Sequence, residues 1–248
     1  MNWLKAWLLA LSLSIFLTQV AFGTFDMKFG ADESKESINN YGIGIYLNQS
    51  DRNNITGNSI IGNKIGILLQ KSNGNNLTEN IVGNNFEYGL FLESSNYSII
   101  LDNSVDNNRY SGISIWDSRD NILAHNKANH NSENGISIWE SDKNYLSNNN
   151  ASNNGHWGIY LLKSDDNQLT GNNLSYNGEN GLILFESRGN AIKRNIVEHN
   201  FGICGGMCFY NSSMNNITGN NASSNNYGGI GFHKSDYNIL AANSIINF

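Results

Sequence analysis

Apolar and polar positions alternate along most of this chain on a period near 23 residues. The plainest copy is SGISIWDSRDNILAHN, residues 111–126, which recurs as NGISIWESDKNYLSNN, residues 134–149. With the repeat glycine as position 0, the units begin at Gly44, Gly66, Gly89, Gly112, Gly135, Gly158, Gly181, Gly206 and Gly229, at spacings of 22, five of 23, 25 and 23. Positions +1, +3, +11 and +16 are apolar in every unit, as in Ile113, Ile115, Leu123 and Ala128. The +1/+3 pair has strand spacing, and no unit holds the long 3.6-period run that a helix needs. Each unit therefore reads as three brief strands separated by polar turns. Repetition makes the array one body whatever its length. The expected fold is all-β: a solenoid, a single right-handed parallel β-helix of about nine coils over residues 41–248, roughly 40 Å long at strand spacing.

The polar positions repeat as strictly. Position +6 is Ser in all nine units, from Ser50 to Ser235, and +14 is Asn in all nine, from Asn58 to Asn243. Position +9 is Asn except for Ser98, and +19 is Asn except for Phe248. In a parallel coil identical positions stack, and an Asn side chain carries both donors and an acceptor, so a column of them can hydrogen-bond along its length. Asn also tolerates the left-handed backbone of sharp turns, which is a second reason to expect it there. The Asn richness is thus structural and is no binding signature.

Composition adds two exclusions. The net charge is −6, with Lys and Arg scattered, so no basic stripe marks a nucleic-acid surface. Residues 1–23 carry one charge, Lys5, then a mostly apolar run ending in Ala21, Phe22 and Gly23. This reads as an export signal, and no second long apolar run follows. Residues 24–40 form a lead-in, with Phe25, Met27 and Phe29 alternating as in a short strand. The predicted location is therefore outside the cytoplasm: periplasm, cell surface or medium.

The pattern xGIxIxxSxxNxIxxNxI following a signal-like segment resembles the β-helix repeats of the NosD and CASH-type family, over residues 41–248. The resemblance implies an exported protein with a pectin-lyase-like coil. It also implies one of three roles: copper delivery as a nitrous-oxide reductase accessory protein, carbohydrate binding, or sugar cleavage.

Candidate chemistry comes from the positions that the ladder leaves free. Position +4 lies on the outward side of the first strand and includes Trp116, Trp139, Phe185 and Tyr210; position +5 adds Asp117, Glu140 and Glu186. Aromatic faces beside carboxylates suit a sugar, whose C–H faces stack on rings while its hydroxyls bond to the acids. The neighbouring Ser114 and Ser137 at +2 are small enough to leave the indoles uncovered. Trp116, Asp117, Trp139, Glu140, Phe185 and Glu186 are the expected carbohydrate-binding set, with a polysaccharide or surface glycan as partner. The competing reading is an aromatic stack that only stabilises neighbouring coils. No catalytic residues, metal ligands or cofactors are assigned: stacked acids such as Asp117 and Glu140 lie near glycosidase spacing in any parallel coil, and the five histidines do not fall into one place. Cys204 and Cys208 sit in the one coil lengthened by two residues, and outside the cytoplasm most simply form a small disulfide. A chain ending at a turn position also suggests either an uncapped last coil, closed end to end by a second copy or another partner, or a fragment of a longer protein.

Overall fold

The computed structural model describes residues 40–246. The expected export signal and the lead-in strand near Phe25 lie outside the described residues. Within them the chain winds into nine coils, each starting at a repeat glycine. Strands such as Ile113–Trp116 and Ile136–Trp139 stack in parallel into one nine-stranded sheet, and strands such as Ile122–Ala124 and Tyr145–Ser147 into a second. Register is strict: Ile136 faces Ile113 and Trp139 faces Trp116. The third side starts as a strand pair, Ser59–Ile61 with Ile81–Gly83, and continues as single bridges through Ser104, Lys127, Asn150, Asn173, Ile196, Asn221 and Ser244. The expected third strand is thus mostly one residue long.

The corners differ from the expectation. Every described residue at +5, +8, +13 and +18 has positive φ, including Asp117, Asp120, His125 and His130 in one coil and Glu140, Lys143, Asn148 and Asn153 in the next. The ladder residues at +6, +9, +14 and +19 are not among them. The left-handed residue is the one before the ladder residue, and it is of almost any type. It turns the chain so that the next side chain points along the coil axis toward its counterparts. Asn is therefore selected for its amide, not for its tolerance of left-handed backbone.

That amide is fully used. Asn126 illustrates all three Asn columns. Its backbone N–H and its Nδ2 both donate to Asn149 Oδ1 in the next coil, at 3.0 Å each, and Nδ2 also donates to the Ile100 carbonyl of the coil before, at 2.8 Å. One side chain thus ties three coils together while satisfying a buried backbone donor. The serines do the same more simply: Ser118 N–H donates to Ser141 Oγ at 3.0 Å, and Ser118 Oγ donates to the Trp116 carbonyl at 2.7 Å.

Between the ladders lies one apolar core of the +1, +3, +11 and +16 side chains, running from Ile45 to Ala222. Phe209 stacks on Phe232 within it at 4.8 Å. In coil 9 the same columns open out, with Leu240 48 % and Ile245 46 % exposed. The repeat glycine itself serves close approach. A Cβ on Gly135 would lie 2.6 Å from Ala151 Cβ and 2.8 Å from the Gly158 carbonyl oxygen of the next coil.

Candidate functional site

The outer face of the first sheet is where the chain departs from its own repeat. Side chains at +2 point away from the core, yet Leu68, Phe91, Ser114, Ser137, Tyr160, Ile183 and Cys208 are all buried. They are covered by the +4 side chains and by the turn just before each glycine, which supplies Tyr88, Trp157 and Cys204. This makes a second, outer layer of packing on the sheet. Sequence reasoning missed it because the pre-glycine positions hold no constant residue type; the signal was there in Tyr88, Tyr110 and Trp157, had those positions been read as columns.

Two aromatic groups form on this face. Toward the N-terminal end, Tyr46, Tyr88 and Trp116 pack against a buried cluster of Ile65, Leu68 and Phe91, and Tyr88 meets Tyr110 edge-on at 5.4 Å. Toward the other end a continuous run crosses five coils. Trp139 meets Tyr160 edge-on at 5.8 Å, Trp157 lies 4.7 Å from Tyr160, and Tyr160 meets Phe185 at 6.0 Å. Phe185 then stacks on Tyr210 at 4.9 Å and 8°, and Tyr210 reaches His233 at 5.4 Å. Trp139 and Phe185 are thus brought together through Tyr160, whereas Trp116 belongs to the other group. The indoles are half-buried, not laid open: the serines beside them are buried, and each ring packs on a neighbour's side chain. Two indole N–H groups, Trp139 Nε1 and Trp157 Nε1, are buried without an acceptor. Such orphans carry a desolvation cost.

Carboxylates border the run on both sides. Along one rim stand the expected Asp117, Glu140 and Glu186, exposed at their left-handed corners. Asp117 Oδ2 accepts from Ser94 Oγ at 2.9 Å, and Glu140 lies 3.9 Å from Lys163 Nζ. Asp117 and Glu140 share a shallow open groove with Ser94, Asn96, Ser118, Arg119 and Asp142. Along the other rim, in the pre-glycine turns, stand Glu87, Glu133 and Glu179, all part-buried. Burial pushes the Glu133 carboxyl above the ordinary range, with His156 pulling it back; burial does the same to Glu87, opposed by Lys64 at 3.7 Å. Burial raises the Tyr160 hydroxyl to about 12, helped by the Glu186 carboxylate. Burial likewise raises Tyr88, with the carboxylates of Glu133 and Glu87 adding to it. Both phenols therefore stay protonated. Perturbed titratable groups gather on this face, and the perturbed carboxyls are on the rim that the sequence reading did not single out.

Cys204 and Cys208 are joined as expected, with Cα atoms 5.7 Å apart. The disulfide lies in the outer layer against Tyr160, Ile183 and Tyr210 and pins the two-residue insertion onto the sheet. In the last coil Gly231 stands at +2 because a Cβ there would lie 2.8 Å from Cys204 Sγ.

Two family patterns match: the periplasmic copper-binding protein (NosD) model over residues 24–180, and the right-handed β-helix region over residues 119–246. The first spans more than half of the 248 residues. The chain belongs to the NosD family. No curated protein sequence matches this NosD-family chain. Among solved structures it is similar to a variant of the periplasmic alginate epimerase AlgG, with TM-score 0.75 and 21 % identity over 79 % of the chain. It is also similar to the Azotobacter vinelandii mannuronan C-5 epimerase AlgE4 A-module, with TM-score 0.75 and 16 % identity over 79 %. A third is pectate lyase Pel9A, with TM-score 0.57 and 12 % identity over 86 %. At these identities the likeness shows the right-handed β-helix fold. The chain spans 50 % of the AlgG structure, 60 % of the AlgE4 module and 68 % of Pel9A.

The described residues do not fit a resident copper ion. No three His, Cys, Asp or Glu side chains among them converge as ligands. The soft donors Cys204 and Cys208 are bonded to each other, and Met207 is buried in the core.

Proposed function

We propose that this NosD-family β-helix is an exported binding protein that holds a glycan along the outer face of its first sheet. The observation that carries the reading is the aromatic run in which half-buried Trp139, Phe185 and Tyr210 follow one another over buried Tyr160, bordered by carboxylates on both rims. Sugar rings stack on such side chains, and the acids accept from their hydroxyls. The likeness to alginate epimerases and a pectate lyase supports this reading at the level of the fold.

The rim charges argue against a polyuronate ligand here. Asp117, Glu140, Glu186, Glu133 and Glu179 stand along the run, against Lys163, Lys234 and His156. An acidic face repels an acidic polymer and favours an uncharged or amine-bearing one. No acid–base pair is assigned on this face, so the function proposed is binding and not turnover.

The test is a titration of tryptophan fluorescence with glucan, xylan and chito-oligosaccharides, with alginate and pectate alongside. The expected result is a saturable change with a neutral or amino-sugar ligand and none with alginate at low salt. Trp139→Ala should weaken that binding about tenfold, the scale of one lost stacking contact. No response across the panel, or affinity untouched by Trp139→Ala, would remove the glycan reading.

A further inference from the structure

The outer face of the second sheet carries a cluster of opposite charge. At +12 in coils 6, 7 and 8 stand Thr170, Lys193 and Thr218, paired in parallel register. The threonines therefore lie directly on either side of the lysine, about 4.8 Å away along the coil axis. Arg194 follows at a corner with φ of 54°, between the glycine corners Gly171 and Gly219. A Cβ placed on Gly219 would sit 3.7 Å from Arg194 Cγ, so the arginine stem lies across that bare corner. Thr170, Lys193, Arg194, Asn216, Thr218 and Gly219 line one shallow concavity.

The chemistry of this lining is one-sided. Lys193 and Arg194 are the only adjacent pair of cations in the chain, in a protein with 21 Asp and Glu against 15 Lys and Arg. Both are exposed, and among the described residues neither takes part in an ion pair. Thr218 Oγ1 donates to Asn216 Oδ1 at 2.6 Å, which engages the amide oxygen and leaves the amide nitrogen as the free donor of that side chain. The residues around this largely apolar floor thus carry a guanidinium, an ammonium, an amide and two hydroxyls, with no carboxylate. That set complements an oxyanion.

We propose that this concavity binds a sulfate or phosphate group, free or carried as an ester on a glycan. It is independent of the first-sheet reading: the two faces have opposite charge and share no residue.

The experiment uses the full chain, with amide chemical shifts and calorimetry as readouts and sodium sulfate, sodium phosphate, dextran sulfate and neutral dextran as probes. The expected result is saturable binding of an anionic probe, with shifts at Thr170 and Thr218 and none with neutral dextran. Replacing both cations (Lys193→Gln with Arg194→Gln) should weaken it about tenfold or more, as the loss of charge-assisted bonds requires. Saturation by the inorganic ions supports a free-ion site, whereas response to dextran sulfate alone supports an ester on a polymer. A parallel variant, Lys127→Gln with Lys143→Gln, removes two exposed charges elsewhere on the array. Equal loss in both double variants, or no saturable response to any anionic probe, would overturn the site.

Discussion

At the scale of single residues, hydrogen bonding explains both the regularity of the ladders and their defect at Ser98. Asn columns were legible because each position is held by the same constraint in every coil: a buried amide must find its counterpart. Ser98 is the exception in the +9 column. Its Oγ accepts from the Asn75 backbone N–H at 3.3 Å, and its own N–H donates to Asn121 Oδ1 at 2.8 Å. It offers nothing suitable to the Asn75 side chain, and Asn75 Nδ2 is left buried without a partner. Ser98→Asn would supply the missing Oδ1 and an amide to continue the column. The expected gain is about 1 kcal/mol, the usual value of satisfying a buried donor, read as a higher denaturation midpoint at unchanged slope. An unchanged or lower midpoint would mean that coil 3 has been built around the serine. The corners, by contrast, were misread at this scale: the left-handed residues are Asp117, Glu140 and their column mates, whose variety hides a shared backbone conformation.

Among the elements, the strands and turns were readable in proportion to how strictly packing repeats. The +1, +3, +11 and +16 positions feed one core and alternate cleanly. The turn before each glycine looked like a spacer because it carries whatever the outer layer needs locally: Tyr88 over Phe91, Trp157 over Tyr160, Cys204 over Cys208. That is why Trp139 and Phe185 could be found from the sequence while Tyr160, Trp157, Glu87 and Glu133 could not. Glycines also separate into two kinds at this scale. Gly135→Ala drives a methyl group into the backbone of the next coil, and neither the Gly158 carbonyl nor Ala151 can yield. Its cost should be about 3 kcal/mol, the upper range for overpacking. Gly57→Ala sits at a corner with φ of 67° and open space around it, in a column where Glu79, Asp102 and Ala242 already adopt the same conformation. Its cost should be about 1 kcal/mol. Thermal or chemical denaturation of the two variants checks the contrast, and equal losses would contradict the close-approach account of the repeat glycine.

Over the whole molecule, a parallel coil divides its faces into separate problems. Side chains at +2 and +4 of the first sheet and at +12 of the second leave the coil on different sides, because each strand keeps its own column from coil to coil. The acidic, aromatic face of the first sheet and the cationic concavity of the second therefore share no residue, and a ligand proposed for one face leaves the other open. Saturating the full chain with sodium sulfate should leave the tryptophan response to a neutral glycan unchanged, and a loss of that response would mean that the two faces are coupled through the coil.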